Sequence, residues 1–325
     1  MSFITKVVGG VDTTQVTFNG VTFTNLHGVP YETFLFAAYH STLYSGNPPR
    51  IGKLSTTTII GPLRKAIYAI LNPESVEPQD VQNLLASAKG TAMHEGMTRA
   101  LTAFNSGYIC EQRLERTIND WKISGEFDIL TPDKQIKDLK FVSNYNIKKL
   151  DEDRQKLTNE MTLEDMYEQT PTYFKYQAQL SIYYYLLNDP QVKPYGSILF
   201  SLNNGSDMGK YTIDQEVTFP LWPKEVTEEF LANRIELIKQ HLANGTLPDC
   251  TPTERGYSPA EYKLERYYPN SASTRTVPGS KFSNESDFRT FIRVKGKPGD
   301  QEIIEPSKYI LCNYCAYSSI CTQPI

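Results

Sequence analysis

Asp128, Asp138 and Lys140 are the residues of this chain whose types and spacing best suit chemistry. They lie in two short runs, Gly125-Glu126-Phe127-Asp128-Ile129-Leu130 and Gln135-Ile136-Lys137-Asp138-Leu139-Lys140, separated by Thr131-Pro132-Asp133-Lys134. Each run reads as a β-strand, and the segment between them as a turn. Side chains alternate along a strand, so Asp138 and Lys140 share one face while Leu139 points to the other. Two carboxylates can hold a hard divalent cation, and a nearby ammonium can steady a hydroxide or the charge developing on a phosphate. This set is suited to cutting a phosphodiester bond.

The elements that must position these groups follow from spacing. Asp80 through Thr102 predicts a helix with Leu84, Leu85, Ala88 and Ala92 on one face; it carries His94 and Glu95, and Gly90 would let it approach a sheet closely. Arg113 to Trp121, Ser124 to Leu130 and Gln135 to Val142 read as an antiparallel meander. A second helix is expected over Thr172 to Leu187, with Tyr176, Gln179, Leu180, Tyr183 and Leu187 on one side. Tyr195 to Leu202 reads as a buried strand, Lys210 to Phe219 as its partner across Asn203-Asn204-Gly205, and Pro223 to His241 as a third helix. Upstream, Leu54 to Thr58 caps a helix over Ile59 to Leu71 with Pro62 in its first turn, and residues 1–50 look strand-like or irregular. Ile147 to Tyr167 is highly charged and reads as a solvated helical excursion. The order helix, three strands, helix, strand implies an α/β fold with a mixed sheet flanked by helices. Three parts are expected: an extension over 1–53, a core over 54–247 and a loop-rich segment over 248–325.

Composition sets limits. A chain of 325 residues, 39% hydrophobic and 22% charged, is that of an ordinary globular protein with room for a sizeable core. A net charge of −4 argues against a coat-like, non-specific DNA binder but leaves room for a local basic groove. The 21 tyrosines suggest half-wet surfaces or a groove. No apolar run reaches the roughly 18–20 residues of a membrane span, and Met1-Ser2-Phe3-Ile4-Thr5-Lys6 has no signal-peptide character, so a cytoplasmic location is expected.

The five cysteines are Cys110, Cys250, Cys312, Cys315 and Cys321. The last three form C-x2-C-x5-C, which points to a metal. Three thiolates need a fourth ligand for either a tetrahedral zinc or a [4Fe–4S] cluster, and Cys250 and Cys110 are the candidates. Around them, Lys263, Arg266, Arg275, Lys281, Arg289, Arg293, Lys295 and Lys297 give a basic character suited to a single strand, or to an ordinary solvated surface.

The order of motifs resembles that of PD-(D/E)xK nucleases of the RecB type, in the version encoded by many bacteriophages. Gly90-Thr91-Ala92-Met93-His94-Glu95 resembles the family's histidine helix, and Glu111-Gln112-Arg113-Leu114 the motif ahead of the core strands. Gly125 to Asp128 resembles its G-x-x-D, Asp138-Leu139-Lys140 its D-x-K, and Tyr176-Gln177-Ala178-Gln179 with Tyr183 its Y-x-x-Q helix. Together they span about residues 54 to 200.

The resemblance implies a restriction-endonuclease-like core and a set of roles. Asp128 and Asp138 would be metal carboxylates, with the Leu139 carbonyl and His94 as further ligands to Mg²⁺ or Mn²⁺. Lys140 would orient and activate the attacking water. Glu111 would bind a second metal or organise the site. Gln179 and Tyr183 would hold the scissile strand or brace Lys140. Tyr176, Tyr183 and Arg113 are candidate DNA contacts, the tyrosines being equally readable as core.

Nucleases of the AddB type and their CRISPR-associated relatives complete an iron–sulfur cluster from such a C-terminal motif and one distant cysteine ahead of the core. Here no cysteine precedes Cys110. The phage versions resemble Pro248-Asp249-Cys250-Thr251-Pro252-Thr253-Glu254-Arg255 instead, which favours Cys250 with Cys312, Cys315 and Cys321, and iron–sulfur over zinc.

The reading is therefore a metal-dependent DNA nuclease. It is expected to be an exonuclease on DNA ends or single strands in phage recombination, replication or host-DNA turnover, with a homo-oligomer or a recombination protein as the fitting protein partner. The alternatives are a catalytically weak DNA-binding protein on a nuclease fold, or an endonuclease subunit of a larger complex.

Overall fold

The structure is a computed structural model describing residues 2–8, 11–18, 21–25, 30–43, 49–73, 79–104, 107–202, 215–267 and 274–323. The chain divides into two compact units, Met1–Pro248 and Asp249–Ile325.

The first unit begins with three antiparallel strands, β1 (Ser2–Val8), β2 (Val11–Phe18) and β3 (Val21–Asn25), followed by helix α1 (Tyr31–Leu43). The helix departs from the strand-like or irregular segment expected there. Its residues are apolar on several sides and lack a clear stripe, yet Phe34, Ala37 and Ala38 are buried with Phe23 of β3, so packing decides its conformation.

Strand β4 (Lys53–Ser55) leads into α2 (Thr56–Ile60) and α3 (Leu63–Leu71), where one helix is predicted. Ser55 caps α2 by accepting the Thr58 N–H at 3.2 Å. The break falls at Gly61-Pro62 because proline disfavours helical backbone in the residue before it; Pro62 then starts α3. Next come β5 (Gln79–Asp80), which pairs with β3, and the long helix α4 (Val81–Ala103).

The central strands are β6 (Ile109–Ile118), β7 (Trp121–Leu130) and β8 (Ile136–Val142). Asn119 and Asp120, both at positive φ (46° and 64°), close the β6–β7 hairpin, as a tight turn with the twist of a β-ribbon requires. The chain then runs through α5 (Asn144–Lys156), α6 (Leu163–Gln169) and α7 (Pro171–Leu187) to β9 (Tyr195–Leu202), β10 (Gln215–Pro220) and α8 (Lys224–Asn244). The predicted pairing of the last two strands holds for β10; the Asn203-Asn204-Gly205 turn lies outside the described residues.

The charged stretch after β8 is not merely solvated. Ile147, Leu150 and Asp153 of α5 are buried. Asp153 Oδ2 accepts the N–H groups of Thr172 (2.7 Å) and Tyr173 (3.2 Å), which satisfies donors that the start of α7 would otherwise leave without partners.

The sheet order is β10-β9-β8-β7-β4, with β6 also paired to β7. β8 and β9 are parallel, joined by the crossover through α5 to α7. Ala178, Leu180 and Ile182 of α7 are fully buried and fill the core on one side of the sheet, each large apolar side chain contributing about 1.5–3 kcal/mol by burial. Helix α4 packs against β6 and β8. This is a mixed α/β sheet flanked by helices.

The second unit is loop-rich. It holds β11 (Tyr257–Ser258) paired with β15 (Lys308–Tyr309), and β12 (Glu261–Tyr267) between β13 (Thr274–Thr276) and β14 (Gln301–Glu305). Helix α9 (Glu285–Lys295) covers a small core of Leu264, Val277 and Phe288. Much of its basic character is neutralised internally. Lys263 pairs with Glu305 (2.9 Å), Arg266 with Asp300 (2.7 Å), Lys281 with Glu261 (3.1 Å) and Arg289 with Glu285 (3.0 Å). Among the described residues no helix is long and apolar enough to cross a membrane.

Candidate active site

The geometry of the site comes from a split in the sheet. One edge of β7 is lined along its length by β6. The other edge is shared: β4 takes Lys122 to Ser124, and β8 takes only Ile129 and Leu130. Between them β7 and β8 diverge. In this fork the Asp128 side chain does the work of a ladder acceptor, its Oδ2 taking the Leu139 N–H at 2.6 Å.

The two carboxylates reach the fork from opposite faces. Asp128 Oδ1 bonds His94 Nε2 of α4 at 2.9 Å. Asp138 is 1% exposed, and its Oδ1 accepts from Gln179 Nε2 of α7 at 2.9 Å. Gln179 Nε2 also lies 2.8 Å from the Tyr183 hydroxyl. Asp138 Oδ2 forms an ion pair with the Lys140 ammonium but accepts no hydrogen bond of ordinary geometry. His94, Glu111, Asp128, Asp138, Lys140, Gln179 and Tyr183 thus form one connected polar group, with the Leu139 main chain in it.

Glu111 stands opposite Asp128 where the β6 ladder is interrupted. Its φ of 53° is a left-handed conformation that non-glycine residues rarely adopt, at a cost of about 1–3 kcal/mol. The turned-out carboxylate meets His94 Nδ1 at 3.1 Å and Thr98 Oγ1 at 3.3 Å. Thr98 is a member of the group that sequence reasoning missed; its position one turn after His94 on α4 was the available signal.

Gly125 was legible as part of a motif but not as a packing requirement. A Cβ there would lie 2.5 Å from Thr56 Oγ1 and 2.8 Å from Tyr183 Cε1. Gly90 is the reverse. A Cβ would meet only the Phe141 Cβ, at 3.5 Å, so the expected need for close approach does not arise.

Other candidates lie elsewhere. Tyr176 is 5% exposed and packs edge-on against Phe200 in the core; Tyr183, although bonded into the polar group, is 4% exposed and presents no surface. Arg113 pairs with Glu126 Oε2 at 3.1 Å on a half-exposed strand surface.

Electrostatics couple the members. Burial would lower the His94 pKa, but the bond to Asp128 and the charges of Asp128, Glu111 and Asp138 raise it. Burial likewise opposes the Lys140 ammonium, and the Asp138 and Asp128 charges outweigh it. For Asp138, burial and then the Asp128 charge push the pKa from 3.8 up to about 6, against the pull of Lys140. Burial and the Asp138 charge keep the Tyr183 hydroxyl neutral.

A pH dependence follows. Between 3.8 and about 6 the folded chain holds a proton on Asp138 that the unfolded chain has released. This group's contribution to stability is therefore complete below 3.8 and lost as pH rises through about 6. The melting temperature of the metal-free protein is expected to fall across that window, other titrations being matched by an Asp138→Asn control. Added Mg²⁺ or Mn²⁺ should raise it more at about pH 8 than at about pH 5, because ligation needs the deprotonated groups. A metal response independent of pH would contradict this.

Among the described residues no three His, Cys, Asp or Glu side chains stand so as to hold a metal ion. Around the fork the reason is visible: the donors are bonded to one another, His94 bridging Glu111 and Asp128. In chemistry the donor set does fit a hard divalent cation. It offers two carboxylates and an imidazole, and the buried Asp138 Oδ2 lacks a hydrogen-bond donor of ordinary geometry.

Cys250, Cys312, Cys315 and Cys321 belong to the second unit and Cys110 to β6 of the first; among the described residues none is in a disulfide, and no three of these cysteines stand so as to hold a metal ion. Gln323 accepts the Cys250 N–H at 2.9 Å and donates to the Cys250 carbonyl at 3.0 Å. Residue 250 is thereby clamped to the chain two residues past Cys321. The Cys315 N–H closes a turn onto the Cys312 carbonyl at 3.2 Å.

A carboxylate, lysine and histidine cluster thus occupies the fork of the mixed sheet in the first unit. No family model matches the chain, and no curated protein matches it. Solved crystal structures resemble it at low identity, three of them as follows. SSO0001 shares 14% identity, covering 64% of this chain and 87% of its own, at a TM-score of 0.41. A phage related exonuclease from Haemophilus somnus shares 14%, covering 59% and 96%, at 0.38. An alkaline exonuclease from Laribacter hongkongensis shares 15%, covering 61% and 96%, at 0.33. At these identities and TM-scores the likenesses say nothing of activity.

Proposed function

We propose that this chain is a metal-dependent deoxyribonuclease of the PD-(D/E)xK class, acting as an exonuclease on DNA ends or single strands in a phage setting within the host cytoplasm. The observation that carries the reading is the fork: two carboxylates from opposite sheet faces, with Lys140 anchored on one of them and His94 on the other. In this reading residues 54–247 are the nuclease core, 1–53 an extension and 248–325 a cysteine-cluster segment.

Asp128, Asp138, the Leu139 carbonyl and a deprotonated His94 would hold Mg²⁺ or Mn²⁺, which supplies positive charge and a water of lowered pKa beside the phosphate. Gln179 fixes the Asp138 Oδ1, and Tyr183 backs Gln179. Lys140 keeps its proton near neutral pH, so it acts as a cation that orients the attacking water and faces the charge developing on the phosphate. Glu111, bonded in turn by the Thr98 hydroxyl, holds the His94 ring from its other nitrogen.

Covalently closed circular DNA and the same DNA linearised separate the possibilities. The exonuclease reading expects loss of the linear form alone, in the presence of Mg²⁺ or Mn²⁺ and not of a chelator. Nicking of the circle would point to an endonuclease subunit. The mutual bonding of the metal donors favours one second reading, a catalytically weak DNA-binding protein; binding without cleavage at saturating metal would support it.

Cys250, Cys312, Cys315 and Cys321 would hold a [4Fe–4S] cluster or, alternatively, zinc. The Gln323 clamp supports Cys250 as the fourth ligand over Cys110. Anaerobically purified protein is expected to be brown and to bleach in the Cys250→Ala variant but not in Cys110→Ala. Colourless, zinc-loaded protein would decide for zinc.

A further inference from the structure

We propose that the cavity beneath α4 is a pocket for one unstacked nucleobase of the DNA strand whose phosphate lies at the fork; this rests on the nuclease reading. The cavity is about 270 Å³ and lies between α4 and the strands β8, β9 and β10. His94 and Lys140 form part of its lining, so it is continuous with the fork. Anything held at the carboxylates has this cavity as its immediate neighbour.

Its walls are apolar where the fork is charged. Met93 and Met97 of α4 face Leu139 and Phe141 of β8 and Leu199 of β9. Ser201, Gln215 and Glu216, the last paired with Lys137, add polar atoms. A base has two apolar faces and a polar edge, and this combination matches it. Lys140 and His94 sit together in the lining, and the remaining wall offers a phosphate no cation and one carboxylate, Glu216. Methionine is flexible and polarisable, so a wall of two methionines can take the face of any of the four bases. That suits an enzyme that must move along a strand without reading it. Met93 is 40% exposed, so a base entering from solvent can reach its side chain. Drawing the base out of the stack would also turn its phosphate toward the fork, as in enzymes that extrude a nucleotide before acting on it.

The test uses the full-length protein and linear duplexes carrying 2-aminopurine at successive positions from one end, with Ca²⁺ replacing the active metal. One position is expected to change fluorescence on binding. Met97→Trp, which fills the cavity, should abolish that change and weaken binding about tenfold. Met93→Ala, at a half-exposed site, should weaken it less. A duplex abasic at that position should bind wild type and both variants alike. Equal binding of the base-containing duplex by wild type and Met97→Trp, or equal losses on the abasic one, would overturn the pocket while wild-type cleavage with Mg²⁺ leaves the nuclease reading standing. If wild type neither binds nor cuts DNA, both readings fall.

Discussion

Asp138→Asn is expected to lower the rate of DNA cleavage by about 10²-fold or more, with the fold retained. Asparagine keeps the shape of the side chain and an oxygen for Gln179 Nε2, which bonds Asp138 at 2.9 Å. It removes the charge and turns an amide donor toward the Lys140 ammonium, which now pairs with Asp138. Lys140 loses its anchor and the site loses one of its two carboxylates, so both the cation and the group facing the developing charge are affected. The signature is a loss in single-turnover rate together with a loss of the metal-induced rise in melting temperature. An unchanged rate would place the chemistry elsewhere; an unchanged thermal response to metal would remove Asp138 from the ligand set.

Among the described glycines of the first unit, Gly125→Ala should be the most damaging. Its Cβ would sit 2.5 Å from Thr56 Oγ1 and 2.8 Å from Tyr183 Cε1, both on buried, well-packed side chains. Overpacking of this kind costs about 1–3 kcal/mol. The consequence does not stop at stability. Tyr183 is tied to Gln179, and Gln179 to Asp138, so a displaced ring moves the carboxylate. Activity is expected to fall by more than the loss of folded protein explains. Gly90→Ala is the control, because its Cβ meets only Phe141 at 3.5 Å, and helix propensity favours alanine there by up to about 1 kcal/mol. Chemical denaturation of the two variants measures the difference, and equal stabilities would refute the packing argument.

The parts of this fold legible in the sequence are those with a strong local period. α4, α7 and α8 appear within a few residues of their predicted spans, and the three strands of the meander are present, although the first is shifted: the predicted Arg113–Trp121 strand is β6 over Ile109–Ile118, and Trp121 opens β7. The G-x-x-D and D-x-K runs fall on β7 and β8; the structure bonds Asp128 to His94 and the Leu139 N–H, and Asp138 to Gln179 and Lys140. What was not legible depends on contacts distant in sequence. The fork arises because β4 and β8 share one edge of β7, a pairing that no local pattern encodes. The left-handed Glu111 is imposed by its surroundings, since glutamate has no preference for that region. Asp153 looked like one charge among many in a solvated helix, and its service to the start of α7 appears only once the two helices meet. α1 was missed because its apolar residues form no stripe, being held by β3 and α4 together.

The central claim is that Asp128, Asp138 and Lys140 hydrolyse DNA with a divalent metal. The most direct measurement follows end-labelled linear DNA on a gel with Mg²⁺ or Mn²⁺, wild type beside Asp138→Asn, each with a chelator control. The account predicts metal-dependent degradation by wild type, none with chelator, and at most a trace from the variant. Degradation by Asp138→Asn at the wild-type rate, or no degradation by folded wild type with either metal, would contradict it.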